Sequence, residues 1–177
     1  MNELMKRISG PTVLLILLLF QLTPVLAQSD HFIKAEIEAQ LAKSEKMRNA
    51  KVEVHVEQRL VVLSGTTRLY EQKLISERIA WTVPGVSEVD NEIRVVPILP
   101  MSDAGIEWKI KEIVKFNISL HAADIVAVVK DGAVTIQGSF SEISALIFLK
   151  HEVAKIEGVV DIKFTGEVIA QSSKTKP

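Results

Sequence analysis

The chain repeats itself at a spacing of 73 residues, with no insertion between the copies. Asp30 maps onto Asp103, Ile33 onto Ile106, Ile37 onto Ile110, Val61 onto Val134, Gly65 onto Gly138, and Gly85-Val86 onto Gly158-Val159. A period this long exceeds that of solenoid repeats, so each copy can fold as its own small unit. Function is therefore to be sought in a tandem module rather than in a single cleft.

In the first copy Asp30 is a suitable helix N-cap. Ile33, Ile37 and Leu41 follow at four-residue steps, one apolar stripe on a helix. Residues 51–57 alternate strictly and predict a half-buried strand. Gln58-Arg59 makes a turn, and residues 60–64 give a second strand that ends at Gly65. Residues 69–82 predict another helix, stopped by Pro84-Gly85, and residues 86–95 a third strand. The second copy follows suit. Asp103 caps a helix bearing Ile106, Ile110, Ile113, Val114 and Asn117. Ile125, Ala127 and Val129 alternate on a strand, and Asp131-Gly132 is a stronger hairpin signal than Gln58-Arg59. Val134 and Ile136 lead to Gly138. A helix over residues 141–156 and a strand over 160–168 complete the copy. The expected fold class is α+β: two tandem units, each helix–strand–strand–helix–strand, with two helices on one face of a three-stranded mixed sheet.

The N-terminus predicts an export signal. Lys6 and Arg7 precede an unbroken apolar run, Val13 to Phe20, and Val25-Leu26-Ala27 offers a cleavage site after Ala27. Gln21, Thr23 and Pro24 interrupt the run before it reaches the roughly 20 residues of a membrane span; retention as an anchor is the alternative. The expected division is a signal peptide over 1–27, a first domain over 28–97, a linker over 98–102, a second domain over 103–169, and a disordered tail over 170–177. There is no cysteine, so the core alone must hold the fold, and neither thiolate chemistry nor acylation at a cysteine is possible. The net charge of −1 gives no bulk attraction to nucleic acid.

Three features taken together resemble the BON-domain family, named after bacterial osmotic-stress and nodulation proteins. The first is the opening Asp-x-x-Ile-x-x-x-Ile, at 30–37 and 103–110. The second is the strand end Val61-Val62-Leu63-Ser64-Gly65, matched by Val134-Thr135-Ile136-Gln137-Gly138. The third is Gly85-Val86-Ser87-Glu88-Val89, matched by Gly158-Val159-Val160-Asp161-Ile162. Asn91 fits the polar position that often follows in the last strand, and Phe164 departs from it. The resemblance spans residues 30 to 169 and identifies the chain as similar to dual BON-domain proteins. It implies a non-enzymatic, periplasmic or outer-membrane-attached protein. Such a protein associates with phospholipid surfaces or envelope partners and supports the envelope under osmotic stress.

Two surfaces stand out. At 100° per residue, Trp108 points away from the Ile106–Ile110 stripe, beside Lys111 and Lys115. This set suits an anionic headgroup layer, and packing of Trp108 against the other domain or the connector is the alternative. On the second helix of the first copy, Tyr70, Leu74 and Trp81 form a second apolar face, which needs a partner. That partner is the other domain, an envelope protein or a second copy of the chain. Catalysis is not expected. His31, His55, His121 and His151 are scattered, and the segment from His151 to Lys155 lacks the second histidine of a zinc-protease helix. Ser64 and Ser139 lack a nucleophile elbow, and Glu36, Glu38, Glu53 and Glu57 read as solvated faces. No catalytic residue, metal, cofactor or small-molecule substrate is expected.

Overall fold

The computed structural model describes residues 29–120, 124–140 and 142–168. The expected signal segment and tail lie outside the described residues. The first half runs α1 (Asp30–Lys43), a 3-10 turn (Glu45–Met47), β1 (Lys51–Glu57), β2 (Leu60–Thr67), α2 (Tyr70–Thr82), β3 (Glu88–Asn91) and β4 (Arg94–Val95). The second runs α3 (Asp103–Phe116), a 3-10 turn (Ile118–Leu120), β5 (Val126–Lys130), β6 (Ala133–Phe140), α4 (Ile143–Val153) and β7 (Asp161–Val168). In each half the hairpin is antiparallel, and the strand after the second helix joins the hairpin's second strand in parallel. The molecule is thus α+β, with two mixed sheets.

The repeated aspartates do something other than cap. Ser29 caps α1, its Oγ accepting from the Phe32 N–H, and Ser102 does the same for Gly105. Asp30 sits one residue inside the helix, and its carboxylate reaches the hairpin turn. It accepts from the Gln58 N–H at 2.8 Å and the Arg59 N–H at 2.9 Å. Asp103 accepts from the Asp131 and Gly132 N–H groups, each at 2.9 Å. Both turns hold their two central residues at positive φ: 49° and 68° for Gln58 and Arg59, 51° and 77° for Asp131 and Gly132. This is the left-handed geometry that matches strand twist in a two-residue hairpin. It costs roughly 1–2 kcal/mol for each residue with a Cβ. Two charge-assisted bonds offset that cost, which is how Gln58-Arg59 adopts a turn that its composition does not favour.

The third strand of the first half is broken where a continuous one is expected over 86–95. Asn91 causes the break. Its Nδ2 donates to the Lys73 carbonyl at 3.0 Å and to Glu77 at 3.3 Å, while its Oδ1 accepts from the Ile93 N–H. The side chain stitches the end of β3 to α2 and lets Ile93 turn inward, to 1 % exposure. At the equivalent position Phe164 packs edge-on against Phe140, with centroids 6.3 Å apart, and β7 runs unbroken. The other boundary corrections are smaller. Helix α4 spans Ile143–Val153, and Asn117 follows α3 as its C-cap.

Two apolar cores result. One is centred on Ile33, Ile37, Leu63 and Ile93, the other on Ile106, Ile110, Ile136 and Leu149. The second core also takes in Tyr70 from the first half, with Leu74 and Val95 packed against it. The N-terminal turn of α2 meets the C-terminal end of α4 there. The Glu71 N–H donates to the Ala154 carbonyl at 2.9 Å, so an orphan donor of one helix satisfies an orphan acceptor of the other. Around this bond the Arg68 Nε donates to both Glu157 carboxylate oxygens, at 3.1 and 2.9 Å. The Tyr70 hydroxyl donates to Asp161 at 3.5 Å, and His151 lies 3.7 Å from Glu71. The Arg68 hydrogen bond foremost, helped by connector N–H groups of Ile98 and Leu99, holds the Glu157 carboxyl below the usual carboxylate range against the opposing effect of burial. Burial, then the Asp161 charge, pushes the Tyr70 hydroxyl up.

Asp30→Ala and Asp103→Ala are each expected to lower the unfolding free energy by about 1–3 kcal/mol in denaturant titrations, the cost of losing two hydrogen bonds to a charged group. Losses under ~0.5 kcal/mol at both sites contradict the role given to these carboxylates. A carboxyl with a depressed folded-state pKa stabilises above its ordinary value, and that contribution fades as pH falls through the folded one. Acidification below the usual carboxylate range therefore loosens the contact between the halves. Hydrogen exchange at the Glu71 amide reads this as reduced protection, and Glu157→Gln removes the pH dependence.

Candidate functional site

Helix α3 buries Ile106 and Ile110 almost completely. With those two inward, the 100° step sets Trp108, Lys111 and Lys115 on the solvent side. All three are exposed, Trp108 at 61 %. Strand β5 is the edge of its sheet and runs beside α3. Between them lies a groove of about 300 Å³, floored by Ile110, Val114, Ile125 and Ala127 and flanked by Lys111 and Lys115. Glu107 ties the helix to the strand by accepting from the Val129 N–H at 3.2 Å. The outward positions of β5 are Val126 and Val128, both more than half exposed, and Phe116 and Ile118 stand still more open at the end of α3. The Lys115 ammonium lies 5.3 Å from the Phe116 ring centroid.

The sequence-selected Trp108, Lys111 and Lys115 share the solvent side of α3. Four exposed apolar residues that sequence reasoning missed stand elsewhere on the second half, Val126 and Val128 on β5 and Phe116 and Ile118 at and just past the end of α3. Comparing the copies position by position finds them. The counterparts 73 residues earlier are Glu53, His55, Lys43 and Glu45, and those of Trp108, Lys111 and Lys115 are Ala35, Glu38 and Ala42. The first half carries its own groove at the same place, between α1 and β1, but Glu38, Lys43, Glu45 and Arg48 rim it and Met47 is tucked into it. One scaffold therefore presents a polar, partly acidic end in one copy. In the other, the groove is apolar and flanked by lysines, and exposed apolar and aromatic side chains stand on α3 and β5.

The second predicted set divides. Tyr70 is buried at 7 % exposure and Leu74 half-buried, both against the second half's core. These two serve the contact between the halves, the alternative that sequence left open. Trp81 stays outside it, 51 % exposed.

The polar residues weighed for catalysis do not converge. Glu36 accepts from Gln40, Glu38 pairs with Lys34, and Glu53 and Glu57 are exposed on β1. His151 faces Glu71, and His121 lies outside the described residues. Among the described residues no group of three or more His, Cys, Asp or Glu is placed to hold a metal ion. No described helix is long and apolar enough to cross a membrane.

Comparison with known proteins gives a family for the first half. Residues 29–97 match the model of the BON domain. No curated protein matches the chain. Among solved structures, the chain is similar to two of CdsD, described as a structural protein of the type III secretion system of Chlamydia trachomatis. One is of its C-terminal domain, with a TM-score of 0.34, 13% identity, and coverage of 81% of this chain and 68% of that one. The other has a TM-score of 0.33, 13% identity, and coverage of 81% and 66%. The matched family segment comprises α1, the first hairpin, α2 and the broken parallel strand, so residues 29–97 are the part of this chain that the BON domain family model matches.

Proposed function

We propose that the chain is an exported, periplasmic, non-enzymatic envelope protein. It associates with anionic phospholipid surfaces and supports the envelope under osmotic stress. In this reading the second half is a second BON unit, because it repeats the element order and the aspartate-to-turn bonds of the first. Export rests on the pattern of residues 1–27, and the envelope role on the BON family. One observation carries the assignment of the membrane-facing end. Where the copies share their scaffold, only the second has Trp108, Lys111 and Lys115 in place of small or acidic residues, Ala35, Glu38 and Ala42, and all three are exposed.

The energetics suit reversible association. A lysine near an anionic leaflet contributes about 1 kcal/mol, and an indole ring settles at the headgroup level. The net charge is close to zero, so attraction is local to this end rather than a property of the whole surface. Salt weakens it, because exposed charges are screened.

Co-sedimentation with vesicles containing anionic phospholipid tests the proposal. The full chain partitions to the vesicles at low salt and less so as salt rises. Lys111→Gln combined with Lys115→Gln weakens partition by about 2 kcal/mol, roughly 30-fold. Glu38→Gln, at the matching place in the first half, leaves it unchanged. Binding that is insensitive to the lysine pair, or a full chain that stays in the supernatant, contradicts the proposal.

A further inference from the structure

The contact between the halves uses a different end of each. The first half gives the N-terminal turn of its second helix, with Tyr70, Glu71 and Leu74. The second half gives the C-terminal end of its own second helix and the segment leading into β7, with Ala154, Glu157 and Asp161. Because the halves share one element order, each also carries the end that the other uses here. Among the described residues, nothing covers those two remaining ends. Seventy-three residues after Tyr70 and Leu74 stand Ile143 and Ile147, which are 62 % and 60 % exposed. Seventy-three residues before Ala154 and Asp161 stand Trp81 and Glu88, both exposed. Apolar side chains thus stand open at each place where the internal contact would recur.

We infer that copies of this chain associate head to tail. The Ile143–Ile147 face of α4 in one copy seats against the Trp81 end of α2 in the next and continues the contact already made between the halves. Such an interface is heterologous: the two surfaces differ, and each copy keeps one of each free, so assembly extends beyond a dimer. The chemistry is more apolar than inside the chain. The positions of Arg68 and Glu157 become Ser141 and Pro84, so no ion pair is carried over, and the Trp81 ring takes the place of the small Ala154. Exposed aliphatic and indole surface of this kind marks interaction sites, and tryptophan is among the residues that dominate them. Head-to-tail association needs no membrane and stands apart from the lipid-binding proposal.

Cross-linking tests it in the full chain, which has no native cysteine. His151 and Glu71 lie 3.7 Å apart across the internal contact, and their counterparts across the proposed one are Arg78 and Ser144. Arg78→Cys chains mixed with Ser144→Cys chains, without lipid, give a cross-linked pair with a short bis-maleimide. Each variant alone gives little, and the chain bearing both gives a ladder. Trp81→Ala or Ile147→Asp, both at exposed positions, cuts the yield about tenfold. Head-to-tail association is overturned if the mixture gives no product or if each cysteine variant alone cross-links as well as the mixture. Insensitivity of the yield to both Trp81→Ala and Ile147→Asp overturns it equally.

Discussion

In each half a carboxylate on the first helix takes two backbone N–H groups from a left-handed hairpin turn, and the rest of the unit is arranged around that clamp. It fixes the first helix over the hairpin, and so fixes which side chains share the cleft between helix and edge strand. It also sets the start of the strand against which the parallel strand is laid. The Ser87 N–H donates to the Arg59 carbonyl and the Val160 N–H to the Gly132 carbonyl, each at 3.0 Å. The clamped turn therefore also receives the chain as it leaves the second helix. Close approach there makes a glycine necessary in the second half, because a Cβ on Gly132 would lie 2.3 Å from the Gly158 carbonyl oxygen. In the first half Arg59 occupies the position, and its Nε donates to the Gly85 carbonyl instead.

With the scaffold held this way in both halves, function is decided by what is placed on it. The internal contact buries Tyr70, partly covers Leu74 and Val95, and satisfies the end of one helix with the end of another. The two grooves beside the first helices remain open. One of them is polar and the other is apolar and flanked by lysines. A duplicated fold freed of the need for identical surfaces can give one copy a structural task and the other an adhesive one. The distribution of exposed side chains over α3 and β5 fits that division.

Much of this was legible in the sequence, for physical reasons that differ from residue to residue. The stripes at Ile33–Ile37–Leu41 and Ile106–Ile110 could be read because helical period is a local property. The exposure of Trp108 followed from the same period. The task of Asp30 was not legible. A capping aspartate and a turn-clamping aspartate look alike until the turn, 28 residues away, is brought beside it, and Ser29 was available to cap. The break at Asn91 was hidden because its partners lie on another helix. Within their own copy the edge-strand valines look like ordinary strand residues. They become informative only beside Glu53 and His55 of the other copy. The fate of Tyr70 depended on a contact between halves that no local pattern encodes.

The two tryptophans sit in different halves, which allows each to report alone on what touches lipid. Emission of the Trp81→Phe chain, in which only Trp108 remains, is to be recorded with anionic vesicles carrying brominated acyl chains, and so is that of the Trp108→Phe chain. A membrane-facing end on α3 requires strong quenching and a blue shift for Trp108 and little change for Trp81. Quenching confined to Trp81, or an absence of quenching for both rings, would contradict it.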